Sequence, residues 1–179
     1  MEITREVAKK VLDTVDAGLS YGLGRPVPGE MCVEAAVCYA LGLPHGDDPQ
    51  CVAPALRALK IALNDKHWSS PAARAKGMRR IAIAQLGTAG TLNEKEFVSR
   101  VAETTIRKVV PRALRAASLL HPGQEHKDAL ESAAKQCETD GSQAADAELA
   151  YFAEEVVQIL VAMQAPGCAW LDLTEKPCA

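Results

Sequence analysis

The chain has 179 residues, of which 48 % are hydrophobic but only 4 % aromatic, and a net charge of −3. That length and apolar content exclude a disordered chain and support one domain with a real core. A core built from Ala, Leu, Val and Ile with so few rings favours closely packed helices over a β-sandwich.

The first helix is predicted over residues 3–19, capped by Thr4, with Val7, Val11, Leu12, Val15 and Leu19 at helical spacing. Gly18, Gly22 and Gly24 end it, and Pro26 and Pro28 exclude regular structure from the linker that follows. A second helix spans about Glu30 to Leu41 and stops at Gly42 and Pro44. Asp47 or Asp48 can cap a third helix with Pro49 at its first position, running to about Leu63 and closed by Asn64. Ser69 or Ser70, with Pro71 just inside, starts a fourth helix that reaches Leu86 and stops at Gly87.

Asn93 and Glu96 form a capping-box pattern at the head of a fifth helix, which extends to about Leu120 and is kinked or divided at Pro111. Residues 124–138 read as a mostly polar sixth helix. The last helix runs from about Ala144 to Gln164, with Leu149, Phe152, Val156, Leu160 and Met163 inward. Pro166 and Gly167 stop it. Trp170, Leu171 and Leu173 then offer an anchor for the tail, 166–179, back onto the bundle. No stretch alternates as a strand bounded by hairpin turns. The expected architecture is all-α, a single domain, 1–179, of about six to eight helices.

The N-terminus has no apolar run after its charges, and VVQILVAM is too short to cross a bilayer, so a cytoplasmic protein without membrane contact is expected. The six cysteines include no CxxC pair, which favours reduced thiols over disulfides or a zinc finger. Charge is unevenly distributed. Residues 1–54 hold four Lys/Arg against eight Asp/Glu, 55–115 hold thirteen against four, and 116–179 hold three against eleven. A basic middle can bind a polyanion or pack against its own acidic flanks, and the second is the leading reading.

The richest stretch for chemistry is Pro28 to Val52, with three of the six cysteines, His45 and four acidic side chains. Cys32 at a helix start, where free N–H groups and the helix dipole favour a thiolate, is followed by Glu34. Cys51 sits similarly at the start of the third helix, and His45 and Asp48 lie in the turn between. The candidate binding site is therefore Cys32, Glu34, His45, Asp48 and Cys51, extended by Asn64 and Asp65. A metal site or a thiol nucleophile with His45 as base would use these residues. A zinc-deaminase reading of Cys-x-Glu fails, because the downstream Pro-Cys-x-x-Cys is missing.

Against these stands simple burial, since cysteine packs as a small hydrophobe. Cys38, mid-helix among Ala and Val, is expected in the core, and Glu34 is expected to pair with Arg25 or Arg57. Asn64 is expected as a helix C-cap, and Trp68 as either a loop pin or a surface group beside His67. Arg74, Arg79 and Arg80 on the fourth helix, with Arg107, Arg112 and Arg115 on the fifth, are the candidates for a basic face. Aromatic stacking residues are missing from that face, so nucleic acid is not the leading partner. The chain has no Gly-rich phosphate loop, HExxH or GxSxG, and no cofactor is indicated.

Met31-Cys32-x-Glu34-Ala35, Asp48 with Cys51-Val52, Asn64-Asp65, Leu86-Gly87-Thr88, Ala165-Pro166-Gly167-Cys168 and Trp170 to Leu173 together resemble short proteins of bacteria and their phages to which no activity is attached. The resemblance covers about half the chain. It implies that the opening stretch, the Asn-Asp turn and the Leu-Gly-Thr turn form one structural unit. The leading expectation for function is a non-enzymatic helical interaction module with a protein partner or a second copy. The alternatives are a metal- or thiol-dependent enzyme at Cys32, Glu34, Asp48 and Cys51, and nucleic-acid binding through 55–115.

Overall fold

The structure, a computed structural model, describes residues 3–105, 109, 146, 147 and 149–175. It is all-α, and no strand occurs among the described residues. The helices are α1 (Arg5–Asp16), α2 (Val33–Ala40), α3 (Pro54–Asn64), α4 (Pro71–Ala84), α5 (Glu94–Thr104) and α6 (149–162), followed by a 3-10 segment, Pro166–Glu175. The expected sixth helix, 124–138, and the fifth beyond residue 105, with Pro111, lie outside the described residues.

α4 holds the bundle together, packing against α1, α2 and the 3-10 segment. α2 is the most enclosed element. Every one of its residues except Tyr39 is buried. An eight-residue helix with no polar face is stable only when neighbours cover it on all sides. α1 and α3 both pack against it. The core that results contains Val11, Val15, Val37, Leu56, Met78, Ile81 and Leu160. Trp170, Leu171 and Leu173 pack against it from the tail, as the sequence predicted.

Two glycines mark close approaches. A Cβ on Gly77 would run into the buried Trp68 ring, and one on Gly167 would strike the Ile83 and Ala84 carbonyls. The first lets the loop before α4 lie flat on that helix, and the second lets the 3-10 segment dock on its end.

The caps follow the sequence in part. Thr4, Ser70 and Asn93 accept the N–H of Val7, Ala73 and Glu96, as expected. Glu96 does not reach back to complete a capping box, because its carboxylate is engaged by Arg100. Ser69, the other cap candidate, instead donates from its backbone and hydroxyl to Asp146.

Two helix starts move. α2 begins at Val33 rather than near Glu30, because Met31 is held in an isolated antiparallel bridge with Gly24 and Cys32 is the extended N-cap. α3 begins at Pro54, not Pro49, and its N-cap, Ala53, has no capping side chain. Its open N–H groups are met from a distance: Ala53 N–H donates to Thr88 Oγ1 at 2.9 Å and Ala55 N–H to Glu94 Oε2 at 2.7 Å. The cap of α3 is thus tertiary, which no local sequence rule could locate.

Candidate functional site

α2 and α3 meet at a buried charge pair. Glu34 and Lys60 are both 0 % exposed, and Lys60 Nζ lies 2.6 Å from Glu34 Oε1. Opposite charge at that distance holds the pair, and Glu34 Oε2 has no hydrogen-bond partner among the described residues. Burial raises the Glu34 pKa against the opposing pull of Lys60, and burial lowers the Lys60 pKa against the opposing pull of Glu34. The partner differs from the expected Arg25 or Arg57. Arg25 pairs with Glu30, and Arg57 pairs with Asp48. Sequence reasoning missed Lys60, although a signal was present. It falls on the apolar stripe of α3 between Leu56 and Leu63, as Glu34 falls inside an otherwise apolar helix. One acid and one base, each at a core position, call for each other.

Cys32 lies at the head of α2, and its Sγ accepts the Ala35 N–H at 3.3 Å. The expected thiolate is not favoured. Burial raises the Cys32 pKa, outweighing the N–H groups of Ala35 and Glu34. Cys51 is not at a helix start but in the turn before α3, and burial raises its pKa despite the Gly87 N–H. Cys38 is in the core as predicted.

Burial pushes the thiols of Cys38 and Cys168 up to about 11, from 9.0. At pH 8 their thiolate fraction is therefore about a hundredfold lower than in the unfolded chain. Iodoacetamide labelling followed by peptide mapping should show Cys38 and Cys168 reacting at least that much more slowly in buffer than in urea. Equal rates would show that these two thiols are not held protonated by burial.

His45 and Asp48 do not join this cluster. His45 is exposed, with Nε2 3.1 Å from the Gly24 carbonyl, so that nitrogen carries the proton in this contact. Asp48 faces outward, accepting from Arg57 and from Gln50 Nε2. The five-residue candidate thus divides into an interior group, Cys32, Glu34 and Cys51, and a surface pair.

Asn64 is not a C-cap. It is the last residue of α3, wholly inside, and Asp65 takes the cap position. Its Oδ1 accepts the Val33 N–H at 3.3 Å, and its Nδ2 donates to the Ser20 carbonyl at 3.0 Å and to Asp65 Oδ1 at 2.9 Å. One amide therefore joins the start of α2, the linker after α1 and the end of α3. Asp65 Oδ1 also accepts the Gly22 N–H. Trp68 is a loop pin, buried and donating from Nε1 to the Leu63 carbonyl. Cys51 and Ala53 in turn touch the Leu-Gly-Thr turn, through Ala89 N–H to Cys51 O and through Thr88. Hydrogen bonds thus link the opening stretch to Asn64 and to the turn at Thr88 and Ala89.

Each described basic-face candidate has a partner within the chain. Arg74 is buried and donates to the Asn64 and Leu19 carbonyls. Arg79 pairs with Asp16, and Arg80 with Glu154. Arg107, Arg112 and Arg115 lie outside the described residues. The basic middle thus closes onto both acidic flanks through Asp16 and Glu154.

A cavity and a groove lie among the described residues. A cavity of about 30 Å³ has Gly22, Cys32, Glu34, Asp47, Asn64 and Asp65 in its wall. A groove of about 460 Å³ lies between α4 and α6, with Trp68, Gly77, Ile81, Ala147, Ala150 and Ala153 in its lining. Among the described residues, no three His, Cys, Asp or Glu side chains converge to hold a metal ion, and no helix is long and apolar enough to cross a membrane. Comparison with protein-family models, curated proteins and solved structures returns no match to this chain.

Proposed function

We propose that this chain is a non-enzymatic helical binding module that receives an amphipathic helix of a protein partner between α4 and α6. The observation that carries the reading is the 460 Å³ groove. Its accessible lining includes the small side chains of Ala73, Ala147 and Ala150, which leave room for a helix to approach closely. Trp68 and Ile81, both buried, back the groove from the core side. At the rim, Arg80 and Glu154 neutralise one another, whereas Lys76 makes no ion pair among the described residues. The matching helix therefore carries apolar residues at i, i+3, i+4 and i+7 and an acidic residue opposite Lys76.

Selection of helical peptides from a display library against the full chain tests this. The expected winners are amphipathic helices with an acidic edge, losing at least about tenfold in affinity, roughly 1.4 kcal/mol, to Ala150→Arg and to Lys76→Glu. Failure to enrich any helix, or binding indifferent to both substitutions, would overturn the reading. A thiol-dependent enzyme at Cys32 and Glu34 stands second, because the cavity they line has room only for a group near the size of water. Binding of nucleic acid through the basic middle stands third, since Arg74, Arg79 and Arg80 are already committed.

A further inference from the structure

The loop between α1 and α2 holds apolar side chains out in solvent. Tyr21 is 68 % exposed, Val27 48 % and Leu23 42 %, and these are three of the six large apolar side chains exposed among the described residues. Single exposures scattered over a surface need no explanation, but a concentration of them in one short loop marks a contact surface.

The loop is also fixed. Ser20 N–H donates to the Met31 carbonyl at 2.8 Å, Arg25 N–H to the Glu30 carbonyl at 2.8 Å and Cys32 N–H to the Leu23 carbonyl at 3.2 Å. From outside the loop, Asp65 accepts the Gly22 N–H at 2.9 Å, and His45 donates to the Gly24 carbonyl at 3.1 Å. Pro26 and Pro28 stiffen its tip. Side chains displayed on so constrained a backbone meet a partner without the entropy cost of ordering a loop. Tyrosine suits such a contact, since its ring buries a large area and its hydroxyl stays at the wet edge.

Charge narrows the choice of partner. Arg25 is neutralised by Glu30, whereas Asp47 and Asp65, beside Gly22 and Leu23 in one cavity wall, make no ion pair among the described residues. The loop thus presents apolar groups with acid alongside and no spare cation, and an anionic lipid surface would repel it. Its complement is an apolar hollow with a spare cation at the rim. The α4–α6 groove has that character, with Ala73, Ala147 and Ala150 in its lining and Lys76 unpaired at its edge.

From this match we infer that the α1–α2 loop of one copy of the chain docks Tyr21 into the α4–α6 groove of a second copy, with Asp47 and Asp65 turned towards Lys76. The inference rests on the reading of that groove as a docking surface, and it adds a competitor to the partner helix: self-association covers the groove until a helix displaces the loop. Loop and groove are different surfaces, so the contact is heterologous. A loop-sized contact buries less than the roughly 1,200–2,000 Å² of stable complexes, so association is weak and depends on concentration.

The test is analytical ultracentrifugation of the full chain from about 10 μM to about 1 mM. The average mass of the parent is expected to rise with concentration. Tyr21→Asp, Ala150→Arg and Lys76→Glu should each weaken association at least about tenfold. An equimolar mixture of Tyr21→Asp and Ala150→Arg should restore a one-to-one species, because an intact loop on one variant meets an intact groove on the other. Tyr21 and Lys76 are exposed, so a mixture of Tyr21→Asp with Lys76→Glu keeps the test decisive if Ala150→Arg fails to fold. A parent that stays monomeric throughout, association indifferent to Tyr21→Asp or to both groove substitutions, or a mixture no more associated than its parts would each overturn the inference. A monomeric chain that still binds helical peptides would sink the self-contact and leave the helix reading standing. Self-association through the groove with no helix enriched would do the reverse.

Discussion

Lys60→Met is expected to destabilise the fold by about 3–5 kcal/mol, because it strands Glu34 as a buried charge with no partner. The sign of its pH dependence follows from Glu34. Burial already raises that carboxyl pKa above its ordinary 4.5, with Lys60 opposing the rise, and removing Lys60 raises it further. An acid whose folded pKa is raised favours the folded state most when protonated in both states. The relative stability is lost as pH climbs from the unfolded value through the folded one. The deficit of Lys60→Met should therefore be largest above the raised folded pKa and shrink as pH falls towards 4.5. Urea unfolding at several pH values checks this, and a deficit that does not change with pH would assign the loss to packing alone.

The companion double variant, Glu34→Leu with Lys60→Met, removes both charges and both desolvation penalties. It should recover most of the loss, and can match or exceed the parent by about 1–4 kcal/mol. A double variant as unstable as the single one would show that α2 and α3 depend on the pair for more than charge balance.

The second large effect is expected at Asn64. Asn64→Leu has similar volume but deletes the acceptor for Val33 N–H and the donors to the Ser20 carbonyl and Asp65. The Val33 amide and the Ser20 carbonyl would be left without their protein partner, at about 1–3 kcal/mol each, so a total near 2–6 kcal/mol is expected. The hydrogen-exchange pattern should be local. The Val33 and Gly22 amides should lose protection ahead of α4, because α2 is pinned at its head through Val33 while Gly22 shares the Asp65 acceptor. Uniform loss of protection across the bundle, with no lead at Val33 and Gly22, would contradict a role as the tie between three segments.

These two positions show where the sequence stops informing. The all-helical architecture was legible from an aromatic-poor, alanine-rich core and from local punctuation. Thr4, Ser70 and Asn93 cap as read, because a cap is a contact three residues long. Cys38 in the core and the anchored tail at Trp170 to Leu173 were also legible, each from its apolar setting.

The site was legible as a neighbourhood but not as an arrangement. Cys32 and Glu34 do share a cavity wall, and Asn64 and Asp65 complete it from 30 residues further along. His45 and Asp48, placed in the same group by proximity in sequence, turn to the surface. The thiolate expected at Cys32 gives way because the helix-terminus effect is modest while burial of a charge is costly, and only the fold sets the burial. Arg74 reads as one more exposed cation until the bundle closes around it and two carbonyls claim its guanidinium.

The sequence by itself determined what depends on neighbours along the chain: helix content, most helix ends, and the segregation of charge. Tertiary structure alone decided which distant groups complete one another. Ala53 has no capping side chain of its own, so Thr88 and Glu94 complete the start of α3, and Lys60, not an arginine, answers Glu34. The physical reason is the same in both cases. A buried polar group must be satisfied by whatever the packing brings within about 3 Å, and that distance carries no trace of separation along the chain.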